Sequence, residues 1–306
     1  MELTLGPILF EWERSEVLDF YKAALTLPVD TVYIGEVVCV KKRSLTIKDI
    51  ETIGKDLEQA GKKVVLSTLA IVSNEEELEL VRELSKLGFS IEANDASALK
   101  IAKDAGRTIF AGPHIKTYNK HDAFFLESIG VKNICLPVEL PKESIKDIAQ
   151  NTNLKYEVFA FGKIPLAFSW RCYTERTYGL SKSECAWHCK DHPEGIDLRA
   201  DTKENGKKAA PIFTINGTSI LSGKNLSLLE FTEDLRDTKV DALRISPQYK
   251  DTGEVIKIFR DKINGKINYK DSSERLQALI KKPLTNGYYN DKAGMEFLEI
   301  NDILNV

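Results

Sequence analysis

The stretch "QAGKKVVLST", residues 59–68, decides the fold. A charged, helix-forming run ends at Gly61, and an apolar β-branched run begins three residues later. Glycine just past a helix supplies the left-handed conformation that ends it, and the loop into the next strand is then short. The same grammar returns in "KLGFSIEA" (86–93, at Gly88), "DAGRTIFAG" (104–112, at Gly106) and "SIGVKNICLPV" (128–138, at Gly130). The strand runs "VVLST" and "TIFAG" are apolar without strict alternation, which predicts parallel strands covered on both faces.

Working outward, strands are expected near 3–8, 31–35, 64–67, 90–92, 108–111, 133–136, 156–159 and 242–245. Helices are expected near 14–25, 46–60, 75–87, 96–105, 122–128, 142–150, 227–237 and 254–263. In the third helix, Leu78, Val81, Leu84 and Leu87 recur near helical spacing, and Ser73 with Glu76 fits a capping box. Asn94 or Asp95 is placed to cap the fourth. Eight strands and eight helices in strict alternation predict an α/β fold, a closed (β/α)8 TIM-type barrel. The rival is an open doubly wound sheet. It would carry a glycine-rich phosphate loop after an early strand, and neither G-x-G-x-x-G nor G-x-x-x-x-G-K-[ST] occurs.

One unit breaks the rhythm. Between the seventh strand and its helix lies an insertion, residues 162–226, holding three of the five cysteines. Long βα insertions in compact domains usually carry function. Within it, "DTKENGKK" (201–208) reads as a solvated loop. The expected organisation is one barrel domain over 1–306, the cysteine-rich insertion at 162–226, and a C-terminal extension at 264–306 packed on the barrel, with a helical turn at 273–280.

The net charge of −3 argues against nucleic-acid binding driven by bulk charge. The N-terminal residues 1–16 lack a basic region, and Glu11 and Glu13 interrupt their apolar run, so no signal peptide is read there. No stretch has the length and apolarity of a membrane span. The expected compartment is the reducing cytoplasm, where clustered cysteines are metal ligands or redox groups more often than structural disulfides.

The insertion contains "WRCYTERTYGLSKSECAWHC" (170–189), which places Cys172, Cys185 and Cys189 in C-x12-C-x3-C spacing. Three thiols are one short of a tetrahedral set. Cys39 follows the second strand in "DTVYIGEVVCVKK" (30–42). Loops after barrel strands open on the C-terminal face, so all four thiols are expected there. Cys135, on the sixth strand, reads as a buried apolar filler. Four thiolates suit zinc or an iron–sulfur cluster, and the spacing leaves both open. His188 and His192 offer a Cys3His zinc alternative, against a bland reading as surface histidines. A redox disulfide or inert thiols complete the alternatives. The mildly positive charge of 171–190 is expected to favour thiolate.

The segments "GEVVC" (35–39), "LSTLA" (66–70), "PVEL" (137–140) and "PLAFSWRC" (165–172) with its two following cysteines resemble the collagenase-like peptidase family, the family of O2-independent hydroxylases. The resemblance runs from "LGPILF" (5–10) through "RISPQ" (244–248) to "NGYY" (286–289). It implies a [4Fe–4S] cluster on Cys39, Cys172, Cys185 and Cys189. It implies anaerobic hydroxylation of ubiquinone precursors by a heterodimer with a homologous UbiU-like subunit. It further implies a prephenate-like hydroxyl donor and, for so oily a substrate, a lipid-carrier protein. Where relatives carry His-Gly before the first clustered cysteine, this chain has Phe161-Gly162, so a role of that histidine does not transfer. No H-E-x-x-H, no G-x-S-x-G and no cysteine with an obvious base is present, which leaves peptidase activity as an alternative. The others are RNA hydroxylation, as in some relatives, and a structural zinc barrel serving as a scaffold subunit.

Other polar residues fall at strand ends on the same face: Glu36, Glu92, Asn94, Asp95, His114, Tyr118, Asn119 and Glu139. Position there reads as site lining. The bland readings are helix caps for Asp95 and Asn119, a helix-dipole partner for Glu139, and a backbone-bonded turn for His114. Arg171, next to Cys172, is a candidate for binding an anionic substrate or for neutralising cluster charge. The catalytic candidates are therefore Glu36, His114, Tyr118, Asn119, Glu139 and Arg171.

Overall fold

A computed structural model describes residues 1–299 except 43, 201, 202, 205 and 206; of 203, 204, 207 and 208 it describes the backbone alone. Eight parallel strands close into a barrel. They are β1 (Glu2–Leu5), β2 (Thr31–Gly35), β3 (Lys63–Ser67), β4 (Ser90–Ala93), β5 (Ile109–Ala111), β6 (Val131–Cys135), the first part of β7 (Lys155–Phe168), and β13 (Ala242–Ile245). Closure is made by β13, which pairs with β7 (Leu243 opposite Val158) and with β1 (Leu243 opposite Leu3). Helices α1 (Arg14–Ala24), α2 (Ile47–Gln59), α3 (Glu75–Lys86), α4 (Ala96–Asp104), α5 (Lys120–Ser128) and α6 (Lys142–Asn151) fill the first six crossovers. The expected (β/α)8 barrel is present, and its glycine grammar holds: Gly61 has φ 80° just past α2.

The insertion is built differently from a loop. β7 overruns the barrel to Phe168, and β12 (Ser219–Ser227) folds back antiparallel against it. β11 (Pro211–Asn216) and β8 (Ile196–Arg199) continue that sheet outward. Cys172 caps short α7 (Tyr173–Thr177), Cys189 lies in a 3-10 turn at His188–Asp191, and Cys185 falls in the segment between them. Residues 203–204 and 207–208 pair as a small hairpin, β9 and β10; the expected solvation of 201–208 lies outside the described residues. Helix α8 (Thr232–Asp237) begins five residues later than the expected 227, because Ser227 is still paired with Phe161 in the sheet. α9 (Thr252–Ile263) returns to the barrel. The C-terminal segment adds α10 (Tyr269–Leu279) and β14 (Leu284–Thr285), a strand paired with β12.

Two local expectations shift by physics the pattern could not rank. β1 stops at Leu5 rather than residue 8, since Pro7 has no N–H to donate to a ladder. The cap of α3 is Asn74, whose side chain accepts from Glu77 N, while the Glu77 carboxylate reaches back to Ser73 N. The expected capping box of Ser73 and Glu76 does not form: Asn74 caps the helix, and the Glu77 carboxylate reaches past it to Ser73.

The barrel interior is occupied by a paired charge system. Arg244 from β13 contacts Glu92 of β4 (2.7 Å) and Glu157 of β7 (2.6 Å). Tyr33 donates to Glu157 (2.7 Å), Ser67 donates to Glu92 (2.7 Å), and the Arg244 guanidinium lies 4.0 Å over the Tyr33 ring. Buried charge on this scale persists only when paired and hydrogen-bonded.

Candidate functional site: four thiols at the barrel rim

Cys39 sits in the turn leaving β2, and Glu36 shapes that turn. Its carboxylate accepts from Val38 N (2.7 Å) and Cys39 N (3.1 Å) and pairs with Lys42 (3.1 Å). Lys42 in turn donates to the carbonyls of Leu9 (3.0 Å) and Phe10 (2.8 Å), fixing the turn to the loop after β1. Glu36 therefore supports Cys39, and every contact found for it is to that turn.

The insertion comes back to the same turn. Thr218 donates to Val38 O (2.7 Å), the Trp187 indole donates to Lys41 O (2.8 Å), and Lys41 Nζ donates to Lys182 O (2.8 Å). Residues 38–41 are thus tied to three points of a segment about 140–180 residues away in sequence. This bridging is what the loop geometry of a barrel allows and what a link between Cys39 and the clustered cysteines requires.

Cys172 is the N-cap of α7, its sulfur accepting from Glu175 N (3.5 Å). The Glu175 side chain is buried and gathers the rest of the loop. It accepts from Cys185 Sγ (3.7 Å) and His188 N (3.2 Å) and contacts His188 Nδ1 (2.9 Å). His188 stacks on Tyr178 (centroids 3.8 Å apart), and the Tyr178 hydroxyl meets His192 Nε2 (2.7 Å). Both histidines are part of the loop's internal bonding.

All five thiols are free. Burial pushes Cys39 up to about 11, raises Cys172, and pushes Cys189 up to about 12. The neighbouring sulfurs add to the shift: Cys172 acts on Cys39, Cys185 on Cys172, and both Cys172 and Cys185 on Cys189. The four thiols therefore occupy one electrostatic neighbourhood. The expectation that local positive charge would favour thiolate is reversed, because loss of water outweighs Lys42 and Lys182. Among the described residues no group of three or more His, Cys, Asp or Glu side chains stands ready to hold a metal ion. Cys135 is 1% exposed on β6, away from this set.

A cavity of about 630 Å3 opens directly beside Cys172, lined among others by Lys41, Trp170, Arg171, Arg176 and Lys182. The barrel mouth offers far less room. The space between Arg244, Glu92, Asn94 and His114 is about 20 Å3, of the order of one or two waters. His114 packs edge-on against Phe168 (4.4 Å), and burial, with Lys116 and Arg244 nearby, depresses it to about 3. It is a neutral ring packed on an aromatic partner, and the expected backbone bond is not among its contacts. Asn94 donates to Thr68 O (3.0 Å), while its buried Oδ1 has no hydrogen-bond partner. Asp95 and Asn119 are helix caps, accepting from Ser97 N and from His121 and Asp122 N. Tyr118, Lys116 and Glu139 bond one another on the exposed rim. Phe161 is fully buried against Phe259 (6.1 Å), and Gly162 leaves no room for a side chain beside Ser246 and Gln248.

The sequence singled out neither Arg244, Glu157 nor Glu175. The first two carried a signal. A charged residue inside a short apolar strand, as in "ALRI" or "KYEVFAF", is buried if the strand is covered on both faces, and must find a counter-charge. Glu175 had none, since its role depends on how the cysteine loop folds.

The peptidase family U32 model matches residues 17–298, and the chain belongs to that family. Among solved structures it is similar to a thiamine phosphate pyrophosphorylase from Pyrococcus furiosus (10% identity, 87% of this chain and 98% of that one, TM-score 0.45). It is similar to an N-acetylneuraminate lyase from Fusobacterium nucleatum (9% identity, 90% and 79%, TM-score 0.45). It is also similar to a phospho-2-dehydro-3-deoxyheptonate aldolase from Thermotoga maritima (10% identity, 93% and 71%, TM-score 0.47).

Proposed function

We propose that this U32-family chain is the iron–sulfur subunit of an O2-independent hydroxylase acting on ubiquinone precursors, resembling UbiV and paired with a homologous UbiU-like subunit. What supports the metal part is that Cys39, Cys172, Cys185 and Cys189 are free thiols on the loops at one rim, with Cys172 acting electrostatically on Cys39 and Cys189, and Cys185 on Cys172 and Cys189. The substrate and partner rest on the sequence resemblance in "PLAFSWRC" and the two cysteines that follow.

The residues fit such a group chemically. Burial and neighbouring sulfurs make Cys39, Cys172 and Cys189 costly to ionise, and a multiply charged metal centre would reverse that cost by stabilising the thiolates. Cys39, Cys172, Cys185 and Cys189 would hold it, and when bound it supplies one-electron or Lewis-acid chemistry. The chain's own residues set its surroundings. Glu36 and Lys42 fix the Cys39 turn, Trp187 and Lys41 hold that turn to the insertion, and Glu175 orients Cys185 and His188.

One observation favours a second reading. His188 gives Nδ1 to Glu175, the arrangement that metal-bound histidines use to present Nε2. That suits a structural Cys3His zinc centre in a scaffold subunit. Purification without oxygen, followed by iron, sulfide and zinc analysis, separates the two. About four irons per chain, lost equally from Cys39→Ala and Cys172→Ala, supports the cluster. Zinc alone, or full iron in Cys39→Ala, overturns it.

A further inference from the structure

The charges buried inside the barrel do not balance. Glu157 accepts from Thr4, from Tyr33 (2.7 Å), and from Arg244 Nε (3.1 Å) and Nη2 (2.6 Å). Glu92 accepts from Ser67 (2.7 Å) and Asn94 Nδ2 (3.3 Å), and its Oε1 meets Arg244 Nη1 (2.7 Å). Every group that meets the two carboxyls is a donor, the pattern of ionised carboxylates. One guanidinium therefore faces two carboxylates, and one negative charge is left over. The neighbours do not supply a second cation. Lys116 is drawn to Glu139 on the exposed rim, and burial, with Lys116 and Arg244 nearby, depresses His114 to about 3 and keeps its ring neutral. Burial likewise holds Tyr33 and Cys135 protonated. An uncompensated charge in a barrel interior is costly.

Two oxygens at the same place lack a donor. Asn94 Oδ1 and Glu92 Oε1 are buried and accept no hydrogen bond from any described residue, although Glu92 Oε1 is in ion-pair contact with Arg244. Asn94 is 2% exposed and Glu92 is fully buried. The amide turns its Nδ2 to Thr68 O (3.0 Å), so Oδ1 faces the other way, over Gly112, where a Cβ would collide with it. Glu92, Asn94, Arg244 and His114 line one cavity of about 20 Å3, room for a body of about the size of water. The neutral His114 ring touches Phe168 and makes no hydrogen bond with a described residue, so it offers one more acceptor nitrogen.

We propose that this cavity binds one small monovalent cation, ammonium or potassium, held by Asn94 Oδ1 and Glu92 Oε1 and balancing the charge that Arg244 leaves over. Ammonium donates N–H bonds to the two oxygens and to His114; potassium takes the two oxygens as ligands. A neutral water would leave the charge uncompensated, and a divalent ion would overshoot it. The site stands on the barrel interior, so it is independent of whether the four thiols hold iron.

The test uses the full chain purified without oxygen into tetramethylammonium chloride, whose cation is too large for the cavity. Potassium or ammonium chloride then replaces it at constant ionic strength, which holds screening fixed, and melting is followed by calorimetry. At least one of the two ions is expected to raise the melting temperature saturably. For 306 residues the rise should be about 4 °C at a hundredfold excess over the dissociation constant. The ion that acts at the lower concentration identifies the occupant. Gly112→Ala keeps every charge and fills the space over Asn94 Oδ1, so it should abolish the rise. Glu92→Gln removes the charge left over and should abolish it as well. Circular dichroism at the parent's level shows that the variants fold, and the titration of the parent stands without them. A proton shared between Glu92 and Asn94 Oδ1 would neutralise the charge in the cation's place and predicts no dependence on either ion. The proposal is overturned by that result, by a rise that does not saturate, or by a rise that persists in either folded variant.

Discussion

Replacing Arg244 by Leu removes the single cation that holds two buried carboxylates. In the native barrel its guanidinium meets Glu92 at 2.7 Å and Glu157 at 2.6 and 3.1 Å, and its side chain is 3% exposed. Leucine fills part of the volume and leaves both carboxylates facing one another in the interior. Breaking a buried ion pair from one side costs about 3–5 kcal/mol. That is a large part of a domain's total of about 5–15 kcal/mol. With about 2.1 cal/mol/K of unfolding entropy per residue over 306 residues, the melting temperature should fall by about 5–8 °C at neutral pH. Calorimetry of parent and variant at neutral pH reads the loss. Adding Glu92→Gln and Glu157→Gln to Arg244→Leu should restore most of the stability at neutral pH, because no charge is then stranded. A shift under about 2 °C, or no recovery in the triple variant, would refute the view that the interior is held by this charge system.

Two further outcomes follow from the rim. Trp187→Phe keeps an aromatic ring, though a smaller one, and loses the bond to Lys41 O, one of the ties between the Cys39 turn and the insertion. It should cost about 0.5–1.5 kcal/mol and hasten loss of bound metal under chelator; metal retention equal to the parent would show that the tie does not support the site. His114, depressed to about 3, stays neutral while the unfolded chain protonates near its ordinary value. Stability should therefore fall as pH drops from about 6.5 towards 3, and His114→Gln should flatten that slope. Proton NMR of the ring, showing no titration between pH 5 and 8, checks the cause.

How much of this was legible depends on which interactions are local. The glycine after four of the helices and the apolar run behind each are short-range facts, and they set the rhythm from which the eight strands were placed. The position of Cys39 on the same face as the clustered cysteines follows from barrel topology alone. The extension of β7 was not legible: "FGKIPLAF" contains Gly162 and Pro165, which read as the end of a strand, and only pairing with β12 keeps it extended. The helix expected from residue 227 failed for the same reason, since a non-local ladder outweighs local helical propensity. Glu36 was correctly placed at a strand end, but its partners are the N–H groups of the turn that carries Cys39. Position could not tell a lining group from one that supports a ligand.

The distribution of space argues for where the chemistry lies. In a TIM-type barrel the reacting groups are ordinarily sought at the axis, above the ends of the strands. Here Arg244 is taken up by Glu92 and Glu157, His114 is held neutral, and about 20 Å3 is left. A far larger opening, about 630 Å3, lies off the axis against Cys172, where the insertion meets the β2 turn. The long β7–β12 ladder explains how the fold tolerates this displacement. Its six paired positions from Phe161 to Phe168 carry the insertion outward on a sheet rather than on a free loop. Rigid elements hold functional groups more precisely than loops do. A site built on that ladder can therefore be specific while lying outside the barrel's interior.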